Sequence, residues 1–93
     1  MANETFENIW DAIEPNPAAA AQMKLRAALM TMLRERIRAQ GWTQIEAAER
    51  LGVTQPRISD LMRGKIGLFS LDTLVLLLAA AGVQLEIHAK DAA

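Results

Sequence analysis

Thr43-Gln44-Ile45-Glu46-Ala47-Ala48-Glu49-Arg50-Leu51-Gly52-Val53-Thr54-Gln55-Pro56-Arg57-Ile58-Ser59-Asp60-Leu61 is the stretch that decides the fold. Thr43 followed three residues later by Glu46 is a capping box, in which each side chain satisfies the other residue's backbone amide. A helix should therefore open at Thr43 and run to about Leu51, where Gly52 stops it. Thr54 caps the next helix, with Gln55 and Pro56 in a first turn where a missing amide costs nothing. That helix should end near Arg63, at Gly64. Two short helices joined by a three- or four-residue turn cross at a steep angle. The crossing needs a small residue, which Ala48 supplies, and a turn residue tolerant of left-handed dihedrals, which Gly52 supplies. Ile45, Leu51, Val53, Ile58 and Leu61 stand where they would plug the angle from inside. The spacing predicts a helix-turn-helix from about Thr43 to Arg63, in preference to an ordinary helical hairpin.

Upstream, Ala18 to Gln40 is dense in Ala, Leu, Met, Arg and Gln, all good helix formers. Leu25, Leu29, Met32, Leu33 and Ile37 are read as its core stripe, with Lys24, Arg34 and Arg38 off it and Gly41 just past its end. Pro15-Asn16-Pro17 marks a boundary before it. Ahead of that boundary Phe6, Ile9, Trp10 and Ile13 form one apolar stripe at helical spacing, capped by Asn3 or Thr5. Downstream, Ser70 caps a very apolar helix from Leu71 to Ala81, closed by Gly82. The period then changes, since Val83, Leu85 and Ile87 alternate with Gln84, Glu86 and His88, a strand pattern. One strand needs a partner. With no other strand in the sequence, the expected partner is the same strand of a second copy. The reading is an all-α domain of four to five helices with a short C-terminal β-strand. It divides into an N-terminal amphipathic segment (1–17), the helix-turn-helix domain (18–82) and the strand and tail (83–93).

Ninety-three residues, 52% of them hydrophobic, suffice for one domain with one modest core. The absence of cysteine excludes disulfides, thiolate metal sites and cysteine nucleophiles. The N-terminus lacks the basic start and apolar run of a signal peptide. Leu74 to Val83 is too short to cross a bilayer, so a soluble cytoplasmic protein is expected. The net charge of −1 conceals an asymmetry. Residues 1–23 carry Glu4, Glu7, Asp11 and Glu14 and no basic side chain, residues 24–65 carry nine basic side chains against four acidic, and residues 66–93 carry Lys90 against Asp72, Glu86 and Asp91. A basic middle between acidic ends suits a nucleic-acid contact, although a solvated helix surface would give the same pattern. His88 is the one histidine. No triad, phosphate-binding loop or metal signature accompanies it, so no cofactor, metal or catalytic residue is expected. Met23, Met30, Met32 and Met62 read as gap-fillers of the core.

The pattern TQ-x-x-AA-x-x-LG at Thr43–Gly52, then TQP-x-x-S-x-L-x-RGK at Thr54–Lys65, then Phe69, Ser70 and Leu74, resembles the XRE/Cro-type helix-turn-helix proteins. More closely, it is similar to the small XRE-type subfamily that includes HigA-like antitoxins. The matching residues cover roughly 43 to 82. The resemblance implies a lambda-repressor-like domain whose third helix enters the major groove of DNA with its N-terminal residues at base edges. Base contacts would then fall to Gln55, Pro56, Arg57, Ser59 and Asp60, with Gln55 able to pair adenine bidentately. Phosphate contacts would fall to Thr43, Gln44, Thr54, Arg63 and Lys65. Pro56 departs from the amide-rich position common among phage repressors, which favours shape or thymine-methyl readout there. The resemblance implies a palindromic operator and a RelE/HigB-like toxin as partners, beside the second copy expected from the pattern of Val83, Leu85 and Ile87. The stripe Phe6, Ile9, Trp10, Ile13 either docks that toxin or folds back on its own domain. A stand-alone repressor and a helical adaptor without DNA binding are the alternative readings.

Overall fold

The computed structural model describes residues 16–91. Among them are four α-helices and one 3-10 turn: α1 Pro17–Gln40, α2 Gln44–Leu51, α3 Gln55–Met62, the turn Ile66–Leu68, and α4 Leu71–Ala80. Each α-helix begins where a short polar side chain takes its orphan amides. Asn16 accepts from the amides of Ala18 and Ala19 at 3.1 and 3.2 Å. Thr43, Thr54 and Ser70 accept from the amides of Glu46, Arg57 and Thr73 at 3.1, 3.3 and 3.1 Å. The far end of α1 closes with the amides of Gly41 and Trp42 bonded to the carbonyls of Arg38 and Ile37.

α1 packs along α4, and α2 crosses α3 beside them. The core between them consists of Met30, Leu33 and Ile37 from α1, Ala47, Ala48 and Leu51 from α2, Ile58 and Leu61 from α3, Phe69, and Leu74, Leu77, Leu78 and Ala81 from the α4 end. Arg36 fastens the long helix to the last one, its Nε donating to the Ala81 carbonyl at 2.9 Å. No described helix is long and apolar enough to cross a membrane.

Three expectations need correction. The buried face of α1 is set by Met30, Leu33 and Ile37, with Leu29 packed at its edge, while Leu25 and Met32 are 55% and 45% exposed. At about 100° per residue, Met32 lies a quarter-turn from Leu33, on the side away from Met30 and Ile37. An Ala- and Leu-rich helix offers several apolar stripes, and the contact with α4 selects this one. Second, Ile45 is 58% exposed and does not plug the helix crossing. α2 turns inward the face formed by Ala47, Ala48 and Leu51, and Ile45 points well away from that direction.

The third correction concerns the tail, which forms no strand. The Val83 amide bonds the Leu78 carbonyl at 2.9 Å, which continues the helix cap. Val83 and Leu85, two of the residues expected at a dimer contact, pack in part against the domain's own core and keep the rest of their surface. Ile87 is 93% exposed. The physical reason is that a strand exists through its ladder partner, and none lies among the described residues. The stripe Phe6, Ile9, Trp10, Ile13, which would supply a fifth helix, lies outside the described residues.

Candidate nucleic-acid interface

The turn between α2 and α3 is built from Gly52, Val53 and Thr54. Gly52 adopts φ 71°, in the left-handed region, and the Val53 amide returns to the Ala48 carbonyl at 3.0 Å. Ala47 and Ala48 let the helices approach, and Leu51, Ile58 and Leu61 fill the space behind them. The capping box at the start of α2 is complete, with the Thr43 amide donating to Glu46 Oε1 at 2.9 Å and the Glu46 amide to Thr43 Oγ1 at 3.1 Å. Both Thr43 and Thr54 use their oxygens as acceptors in these caps and keep a hydroxyl proton to donate outward.

Ile58 and Leu61 define the inward direction of α3. At about 100° per residue, Pro56 and Arg63 fall on the opposite side, Gln55 and Ser59 on one flank, and Arg57 and Asp60 on the other. Thr43, Gln44, Thr54, Gln55, Pro56, Arg63 and Lys65 are exposed, and Arg57, Ser59 and Asp60 are half-buried. α2 and α3 pack against each other, and all ten of these residues keep solvent-accessible surface.

Two of these residues have partners inside the chain. Asp60 Oδ1 lies 3.5 Å from Lys65 Nζ, a loose and partly solvated pair of small energetic weight. Arg57 is held more firmly, with Nη1 donating to the Leu68 carbonyl at 2.8 Å and its guanidinium carbon 4.0 Å from the centroid of the buried Phe69 ring. Behind the C-terminal end of α3, Arg34 of α1 comes close enough that a Cβ on Gly64 would sit 3.4 Å from its Nη1. A guanidinium there complements the negative end of α3.

Sequence reasoning missed the Arg57–Phe69 stack, the Arg50 guanidinium 5.0 Å above the Trp42 ring, and the Arg36 cap. The available signal was the placement of the aromatic residues Trp42 and Phe69 just outside helix ends in a chain with seven arginines. A guanidinium is attracted to the face of such a ring. A family model described as a helix-turn-helix domain matches residues 13–90 of this chain. No curated protein matches it.

Proposed function

Since the chain belongs to the helix-turn-helix domain family, we propose that it is a sequence-specific DNA-binding transcriptional regulator with no enzymatic activity. The observation that carries this reading is α3 itself, a helix with Gln55 and Pro56 exposed at its capped N-terminus and seated on α2 through a left-handed glycine turn. In the major groove, Gln55 reads adenine through N6 and N7, Pro56 lies against a thymine methyl, and Ser59 and Asp60 serve neighbouring edges. Thr43, Gln44, Thr54, Arg63 and Lys65 face phosphates and set the register. The amides at the starts of α2 and α3 add to that positive rim.

A palindromic operator calls for a homodimer, with half-sites roughly 34 Å apart or a multiple of that. Within the regulator reading we place the protein in the XRE-type subfamily, as an antitoxin that represses its own operon. Support comes from the matching residues between Thr43 and Leu74 and from the acidic segment carrying Glu4, Glu7, Asp11 and Glu14, which suits a basic RelE/HigB-like toxin. Phe6, Ile9, Trp10 and Ile13 are the contacts assigned to that toxin.

The deciding experiment is a mobility shift on the protein's own upstream promoter region over a salt series. Selective binding that weakens steeply with salt is expected. No preference over random DNA at modest salt would refute the reading. For the antitoxin assignment, the expected result is a stable complex with the product of an adjacent basic reading frame, lost when Phe6, Ile9, Trp10 and Ile13 are replaced by serine.

A further inference from the structure

The region around α3 contains one arginine whose position does not suit the role that its place in the motif suggests. Arg57 sits in the first turn of α3, where a base-reading side chain would stand. Its guanidinium nevertheless points away from Gln55 and Ser59. One of its donors is bonded to the Leu68 carbonyl at 2.8 Å, and one of its faces lies over the Phe69 ring at 4.0 Å. Phe69 is part of the core and cannot follow the guanidinium if it moves. The Arg57 backbone is also tied down, because its amide donates to Thr54 Oγ1 at 3.3 Å. A single residue therefore joins three segments: the turn before α3, α3 itself, and the connection from Ile66 to Ser70 that leads into α4.

Reaching a base edge would require the guanidinium to give up both the charge-assisted bond and the ring. Gln55 and Pro56 carry no such commitment. We infer that Arg57 is a positioning residue, which clasps the Ile66–Ser70 connection to α3 and leaves base reading to Gln55, Pro56, Ser59 and Asp60. This rests on the DNA-binding reading above and removes one residue from its set of readers. The clasp holds the Ile66–Ser70 connection against the start of α3, and with it the course of the chain just after Lys65.

The test uses the full chain, its operator and the variants Arg57→Met and Arg57→Lys, all measured well below their melting temperatures. Methionine keeps the stem and removes every donor. Operator affinity should fall roughly five- to tenfold, as expected for one hydrogen bond and one ring contact. The loss should be uniform across single-base variants of the site, with an unchanged salt slope. Lysine keeps a cation over the ring and should recover part of the affinity. In the NMR spectrum of the wild-type chain, the upfield ring-current shift of the Arg57 δ-protons should persist at saturating operator. Relaxed preference at one base position would overturn the assignment, as would a slope shallower by about 0.9, the signature of one lost phosphate contact. Disappearance of the ring-current shift on DNA, or a folded Arg57→Met with unchanged affinity, would overturn it equally. The two readings fail separately. A wild-type chain without sequence preference refutes the regulator, whereas a selective wild type with a relaxed Arg57→Met refutes the clasp alone.

Discussion

Replacing Gly52 by alanine isolates the energetic contribution of the turn that sets the angle between α2 and α3. Gly52 sits at φ 71°, and a Cβ built there meets nothing within 4 Å. The cost is therefore conformational and not steric. An L-residue in the left-handed region pays about 1–2 kcal/mol, offset by about 0.4–1 kcal/mol because alanine has fewer unfolded conformations to lose. The net loss of about 1 kcal/mol should lower the melting temperature by roughly 4–8 °C in a domain of this size. Gly52→Asn should lose less, since asparagine tolerates this conformation. Gly82→Ala is the steric contrast. Its φ is 83°, and the new Cβ would lie 3.0 Å from Arg36 Nη2, the side chain whose Nε caps Ala81. It adds the displacement of that guanidinium to the conformational cost, so it should lose at least as much as Gly52→Ala. Thermal denaturation followed by circular dichroism reads all three. An unchanged melting temperature for Gly52→Ala would refute the left-handed turn, and a loss larger than that of Gly82→Ala would refute the claim that the space beside Gly52 is open.

Arg36→Met should destabilise the chain by about 1–2 kcal/mol in urea unfolding, because the Ala81 carbonyl loses a charged donor in a partly buried setting. Thr43→Ala and Glu46→Ala should each cost about 1 kcal/mol, and the double variant less than their sum, because the capping box is reciprocal. Gln55→Ala should weaken binding by about 1–3 kcal/mol at the operator position it reads and leave thermal stability unchanged, as measured by competition against single-base variants. Deleting residues 86–93 should leave the melting temperature unaltered, since the described part of that tail is exposed. Sedimentation of the shortened chain shows whether the Ile87 tail builds a homodimer, and an unchanged dimer would exclude it.

The helix boundaries were legible in the sequence because each depends on chemistry within four residues. Thr43 with Glu46, Thr54 with Pro56, Ser70, and Gly52 all signal locally, and all stand where expected. Which face of each helix turns inward was less legible. Choosing between Met32 and Met30, or between Ile45 and Ala47, requires knowing the direction of the neighbouring helix, a contact across tens of residues. The tail shows the same gap in another form. Its alternating pattern is compatible with a strand, yet Val83 and Leu85 find partial burial on the core they have just left. The candidate DNA-facing residues were legible as exposed polar groups around α3. That Arg57 is tied to Leu68 and Phe69 was not, because the partner lies eleven residues away in a turn with no regular period.

From Pro17 to Leu29, α1 contains no fully buried residue, although Ala19, Met23, Arg26 and Leu29 are half-buried, and its fully buried face begins at Met30. Thirteen residues of helix are marginal on their own in water, so continuity with the half seated on α4 helps to sustain this one. The alanines at 18–21 make that extension inexpensive, because their helical preference does not depend on burial. One continuous rod thus contains two regimes of persistence. Its amides should exchange with solvent through progressive unwinding from Pro17, each turn opening before the next. Those around Leu33 and Ile37 should exchange only when the whole domain comes apart.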